Sequence, residues 1–204
     1  MRCRYKRLLV VLLCITLYPA SAQKITGGLK MGFNLASWYG DDVYDAKIKP
    51  GFCGGVFGVV ALGNIAAIQP ELLYSKKGVK WEEALLGLKL TYEFNYIEMP
   101  VLVKMILPIQ GKIKPNFFLG PYFGITVTDP RGILEIDGMT VEEDLQGAKE
   151  TDFGVVLGGG IDFGLPKGKI VFDARYSLGL TTLDEEGEGD LKNSVFAFLV
   201  GYSF

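Results

Sequence analysis

The chain has 204 residues, 21 Lys+Arg against 23 Asp+Glu, and no histidine. That charge balance offers nothing to a nucleic-acid backbone. The missing histidine removes the commonest general base, the Ser-His-Asp arrangement and most zinc sites.

Residues 1–22 read as a secretory signal peptide. Arg2, Arg4, Lys6 and Arg7 form a basic start, LLVVLLCITL an apolar core, and Pro19 with Ala20-Ser21-Ala22 a breaker and cleavage site. The apolar run is about half the roughly 20 residues that a membrane-spanning helix needs. Cys3 and Cys14 leave with the leader, so Cys53 has no disulfide partner. The mature part, 23–204, is one domain's worth of sequence, with 17 basic against 23 acidic residues once the leader's four are set aside. It holds no apolar helix-length span, so crossing a membrane requires a closed barrel.

Eight segments read as strands: 24–38, 51–62, 65–75, 89–104, 116–127, 152–164, 169–180 and 194–204. In the first, Ile25, Leu29, Met31, Phe33 and Leu35 alternate with Lys24, Lys30, Gly32 and Asn34. This is the period-two signature of a strand between two unlike environments. The second, GFCGGVFGVVAL, and the sixth, with LGGG, are glycine-rich. No P-loop or dinucleotide fingerprint occurs, and these glycines suit crowded, curved strands. The fourth breaks phase: Leu90, Tyr92, Phe94 and Tyr96 share one face, Met99, Val101 and Val103 the other. A bulge between Tyr96 and Pro100, or a misplaced boundary, accounts for that. In the fifth, Phe117, Leu119, Phe123 and Ile125 share a face; in the seventh, Ile170, Phe172, Ala174 and Tyr176 oppose Asp173 and Arg175. Most segments exceed the usual five or six residues and match the roughly 9–11 of a membrane-crossing strand.

Connections alternate long and short, beginning with the long YGDDVYDAKIKP. That rhythm fits a barrel with short periplasmic turns and long external loops. The long loops hold most of the acids. No EF-hand spacing occurs among them, so they read as a solvated surface and no metal site is assigned. In the last segment Phe196, Phe198, Val200, Tyr202 and Phe204 alternate. They resemble the C-terminal signal by which the barrel-assembly machinery takes up its substrates.

KMGFNLAS, IQPELLYSKKG, NYIEMPVLVK, FFLGPYFG, FGVVLGGGIDF, FDARYSLGLT and FAFLVGYSF are spread over nearly the whole mature chain. In them the chain resembles the PorT-like outer-membrane β-barrel proteins of Bacteroidetes-type bacteria. The resemblance implies an all-β, eight-stranded, antiparallel up-and-down transmembrane barrel in the outer membrane of a Gram-negative cell, and it implies little about activity.

With the apolar faces turned to lipid, the interior is supplied by Lys30, Asn34, Gln69, Glu71, Glu93, Asn95, Asp162, Asp173 and Arg175. Buried charges must pair, so a lumen network with Arg175 as hub and Glu71 and Asp173 as partners is expected. Glu71 and Glu98 as an acid/base pair is a weaker reading, and no catalytic or cofactor-binding residue is assigned. The expected function is a non-enzymatic barrel seated in outer-membrane lipid, with a structural or interaction role through external loops that meet an unidentified protein partner. The alternatives are a small-solute porin-like channel and a soluble lipocalin-like binder with its apolar faces inward.

Overall fold

The computed structural model describes residues 25–204 apart from 42, 84–86, 137, 146 and 185–188. The expected leader, 1–22, lies outside the described residues. Ten strands follow in order: β1 (Ile25–Tyr39), β2 (Lys47–Leu62), β3 (Ala66–Glu83), β4 (Leu88–Ile106), β5 (Ile113–Thr126), β6 (Arg131–Ile136), β7 (Met139–Asp144), β8 (Thr151–Gly164), β9 (Lys169–Gly179) and β10 (Lys192–Ser203). Eight of them close a barrel in the order β1-β2-β3-β4-β5-β8-β9-β10, every pair antiparallel, with β10 returning to β1 from Gly28↔Ser203 to Tyr39↔Lys192. Closure removes the unpaired edges that an open sheet would present to lipid. No helix among the described residues is long and apolar enough to cross a membrane.

The alternation resolves into an apolar outside and a polar inside. Leu29, Met31, Phe33, Phe117, Leu119, Phe172 and Phe198 are between 45 and 61 % exposed on the outer wall. Lys30, Asn34, Asn116, Asp173 and Arg175 are at most 5 % exposed within it. That is the inverse of a soluble lipocalin-like barrel and is what hydrocarbon demands of a spanning sheet.

Three details depart from the sequence expectations. KKGVKWEE is no loop: β3 runs on to Glu83, and its hairpin with β4 stays in register from Ala66↔Met105 to Glu83↔Leu88. The longest loop contains the β6–β7 hairpin, and β6 pairs with Leu88–Glu93 of β4, above the stretch where β4 pairs with β5. The fourth strand has no bulge, since Phe94, Tyr96, Glu98, Leu102 and Lys104 all face inward and buried. What changes along β4 is the chemistry of its two faces, not its phase. The register shift lies instead in β2, between Ile48 and Cys53.

The glycines make room for interior rings. A Cβ on Gly28 would stand 2.6 Å from the Phe57 ring, and one on Gly154 2.6 Å from that of Tyr122. The small position on one strand and the ring from its neighbour fill the lumen together.

Candidate functional site: the charged lumen

Alternation along β1, β3 and β9 aims Lys30, Gln69, Glu71, Asp173 and Arg175 at one level of the barrel axis. Arg175 donates through Nη1 to Glu71 Oε2 at 2.7 Å and through Nη2 to Asp173 Oδ2 at 2.9 Å. Lys30 Nζ reaches the same two carboxylates, 2.9 Å from Glu71 Oε1 and 2.6 Å from Asp173 Oδ2. Gln69 Nε2 adds a third donor to Glu71 at 2.7 Å. Two cations thus meet two anions in a closed, neutral cluster. Phe57 lies under the Lys30 ammonium at 4.6 Å and Phe118 under the Arg175 guanidinium at 5.3 Å, each ring offering its negative face to a cation.

A second cluster lies toward the long loops. Lys77 Nζ pairs with Glu98 and, at 3.0 Å, with Asp152 Oδ2, which also accepts from Tyr122 Oη and Asn193 Nδ2, each at 2.9 Å. A third, toward the short turns, joins Lys104 Nζ and Asn116 Nδ2 to Asp162 Oδ1 at 2.9 and 3.0 Å, with Lys169 at 3.6 Å from Oδ2. Between the first two clusters lies a cavity of about 10 Å³, lined by Asn34, Cys53, Ser75, Lys77, Glu98 and Arg175 among others. It has room for about one water molecule. A water-wide passage would leave the lumen side chains accessible; Glu71, Lys77, Asp152 and Arg175 are instead 0 to 6 % exposed.

Above the charges the lumen turns apolar. Trp38 stacks on Tyr92 at 5.3 Å and meets Phe94 and Trp81 edge-on at 5.8 and 5.7 Å, and Leu183 from the last long loop is buried against them. At this outer rim Glu93 bridges Lys49 at 3.0 Å and Lys76 at 3.4 Å. Partial burial works against its charge, but the hydrogen bond and charge of Lys49, then those of Lys76, outweigh that and hold the carboxyl below its ordinary range.

The structure brings Glu71 and Asp173 together on Arg175. Glu71 and Glu98 it leaves in separate clusters, each consumed by its own cation. Glu93 and Asn95 do not belong to the interior: they share the outward face of β4, Glu93 with Lys76 and Asn95 donating to Thr128 Oγ1 at 2.9 Å. Lys77, Lys104 and Asp152 were missed. Carrying the Gln69-Glu71-Leu73-Ser75 alternation one step further finds Lys77, and the same step from Leu102 finds Lys104. Phe196, Phe198, Val200, Tyr202 and Phe204 all point outward, 41 to 70 % exposed. Among the described residues no cluster of His, Cys, Asp or Glu is arranged to hold a metal ion.

Comparison with solved structures gives outer-membrane barrels. The outer membrane protein OprG of Pseudomonas aeruginosa is 16 % identical, with 88 % of this chain and 94 % of that one aligned at a TM-score of 0.51. Neisserial surface protein A is 12 % identical over 89 % and 99 %, TM-score 0.49. The attachment invasion locus protein Ail of Yersinia pestis is 15 % identical over 89 % and 99 %, TM-score 0.47. At these identities the likeness concerns the fold. A search of curated protein sequences finds no match. Residues 21–185 match the family described as outer membrane protein beta-barrel domain, and with its closed barrel, lipid-facing apolar belt and charged lumen the chain belongs to that family of Gram-negative outer-membrane proteins.

Proposed function

We propose that this protein is a non-enzymatic outer-membrane barrel whose lumen is a structural plug and whose external segments engage a partner. The observation that carries the reading is the contrast between a filled interior and an elaborated outer end. Every charge in the central cluster is consumed by an opposite charge, which leaves none to bind or turn over a substrate. Eight strands enclose space for side chains or at most one small ligand, and the cavity of about 10 Å³ leaves no route for a solute. That speaks against a porin-like channel. Residues spent beyond the barrel go to the prolonged β3–β4 hairpin and to β6–β7. The PorT-like segments are what supports a place in that group. We further propose that residues 1–22 are removed on export and that the barrel-assembly machinery reads the outward ridge Phe196, Phe198, Val200, Tyr202 and Phe204.

Photocrosslinkers placed in living cells at Tyr44, Thr181 and Met139 test the interaction role, with Cys53 as the lumen control. The expected result is a discrete adduct from one or more outer positions and none from Cys53. Silence at all three outer positions, or solute flux through proteoliposomes at porin-like rates, overturns the reading.

A further inference from the structure

Above Tyr96 the sheet leaves the barrel, with β6 replacing β5 beside β4. β7 is the outermost strand of this extension: it pairs with β6, it stands last in the sheet, and all six of its residues are exposed.

Register sorts the side chains onto two unlike faces. On one, Lys89 lies across from Glu135, and Glu93, Arg131 and Asp144 form a row. Ion pairs Lys89–Glu135, Arg131–Glu142 and Arg131–Asp144, at 3.6, 3.7 and 3.9 Å, finish that face for water. On the other, Leu88–Ile136–Met139 and Leu90–Leu134–Val141 make two apolar rows, followed by Tyr92–Gly132–Glu143. Leu145 folds back over Gly132, where a Cβ would meet it at 3.4 Å, and so covers the base of this face. Its far end is bare: Met139 is 71 % exposed, Val141 59 % and Ile136 38 %. The result is a hollow of about 510 Å³ lined by Leu90, Leu134, Val141, Glu143 and Asp144 among others, beside an edge of β7 that pairs with no other strand among the described residues.

We propose that β7 accepts an extended segment of a partner protein as an added strand, one whose side chains alternate between apolar and basic. The free backbone groups of β7 supply hydrogen bonds, and alternate pockets supply specificity. Apolar residues of the guest prolong the Leu90–Leu134–Val141 row. Its basic residues meet Glu142 and Asp144 on the opposite face, for which Arg131 is the single basic residue on β6, and a guest end reaching past Val141 finds Glu143. A second copy of β7 is the wrong guest, because it would gather six carboxylates along one strand pair, where like charges repel. This inference rests on the interaction role proposed above and names the surface and the chemistry of the partner.

The test uses the full barrel in phospholipid nanodiscs and a synthetic probe, a nine-residue peptide of alternating Val and Lys, with a Val/Glu peptide as control. The Val/Lys peptide is expected to bind the wild type at least about tenfold more tightly than it binds E142K/E143K/D144K, to weaken with salt, and to crosslink to Met139 and Val141. Met139→Asn with Val141→Asn, which keeps edge and charge, should weaken it several-fold. Unchanged heat-modifiability on a gel checks that each variant still closes its barrel. Equal binding to the charge-reversed variant, no binding by either peptide, or self-association through β7 would each overturn the proposal; with no binding by either peptide, the acids merely guard the edge. Partner adducts from Tyr44 or Thr181 with no peptide at β7 would sink this inference and leave the interaction role standing.

Discussion

The inward faces of β3 and β4 differ above and below a single level. Below it they carry Glu71, Glu98 and Lys104; above it, Val79, Trp81, Tyr92 and Phe94. The outward faces change the other way, from Leu72, Met99 and Val101 to Lys80, Glu82 and Glu93. β1 behaves alike, apolar outside up to Leu35 and apolar inside at Trp38. One rule explains both halves. Where hydrocarbon covers the wall, the apolar side chains face out and the interior can hold charges, provided that they pair. Where water covers the wall, burial of apolar surface has to come from inside. The level at which the faces exchange roles is the outer membrane–water boundary, written into three strands without any break of register.

That contrast can be broken at either end. The largest effect belongs below the boundary. Arg175→Ala leaves Glu71 and Asp173 sharing Lys30 alone, and loss of one partner from a buried ion cluster costs about 3–5 kcal/mol. Denaturant unfolding in lipid should show it, whereas Arg175→Met combined with Glu71→Gln, which leaves Lys30 paired with Asp173 in a neutral cluster, should recover much of the loss. An unchanged midpoint for Arg175→Ala would mean that the cluster contributes nothing. Above the boundary Trp38→Ala removes the ring on which Tyr92, Phe94 and Trp81 converge, at a cost of about 3 kcal/mol. Its destabilisation should be insensitive to salt, since no charge is involved. The smallest effect is at the rim. Glu93 has its carboxyl held low in the folded state, so its contribution is complete above its ordinary value of about 4.3 and fades as pH falls through the lowered one. Glu93→Gln should flatten that part of an acid titration and change little near neutrality; a titration identical to the wild type would show the bridge to be idle.

Much of this was legible from residue order. Alternation located all eight barrel strands, with their ends within a few residues except that of β3, which runs eight residues further, because hydrocarbon on one side and packed side chains on the other impose period two. The same alternation put Glu71, Asp173 and Arg175 on one face. It failed where one assumption was carried too far, that the apolar face always looks out. Phe94 and Tyr96 then seemed out of phase with Val101, and Glu93 and Asn95 were assigned to the lumen. The strand is continuous; its surroundings change. β6 and β7 escaped notice for a different reason. RGILEI and MTVEED are short, MTVEED carries acids on both faces, and the pairing of β6 with β4 is a tertiary fact that no local pattern announces.

The cross-lumen bonds also have a bearing on time. Lys30 meets Asp173 across 143 residues of chain, and Arg175 meets Glu71 across 104. Neither contact exists until β9 and β10 have been brought round to β1. During assembly Arg175 can meet Asp173 on its own strand and Lys30 can meet Glu71 once β1–β3 have formed, but the two halves are joined only when the barrel closes. Interactions absent from the transition state for folding act on the rate of escape and leave the rate of arrival nearly untouched. The central cluster is then a latch: it does little to guide the chain into the membrane and a great deal to keep a finished barrel from opening.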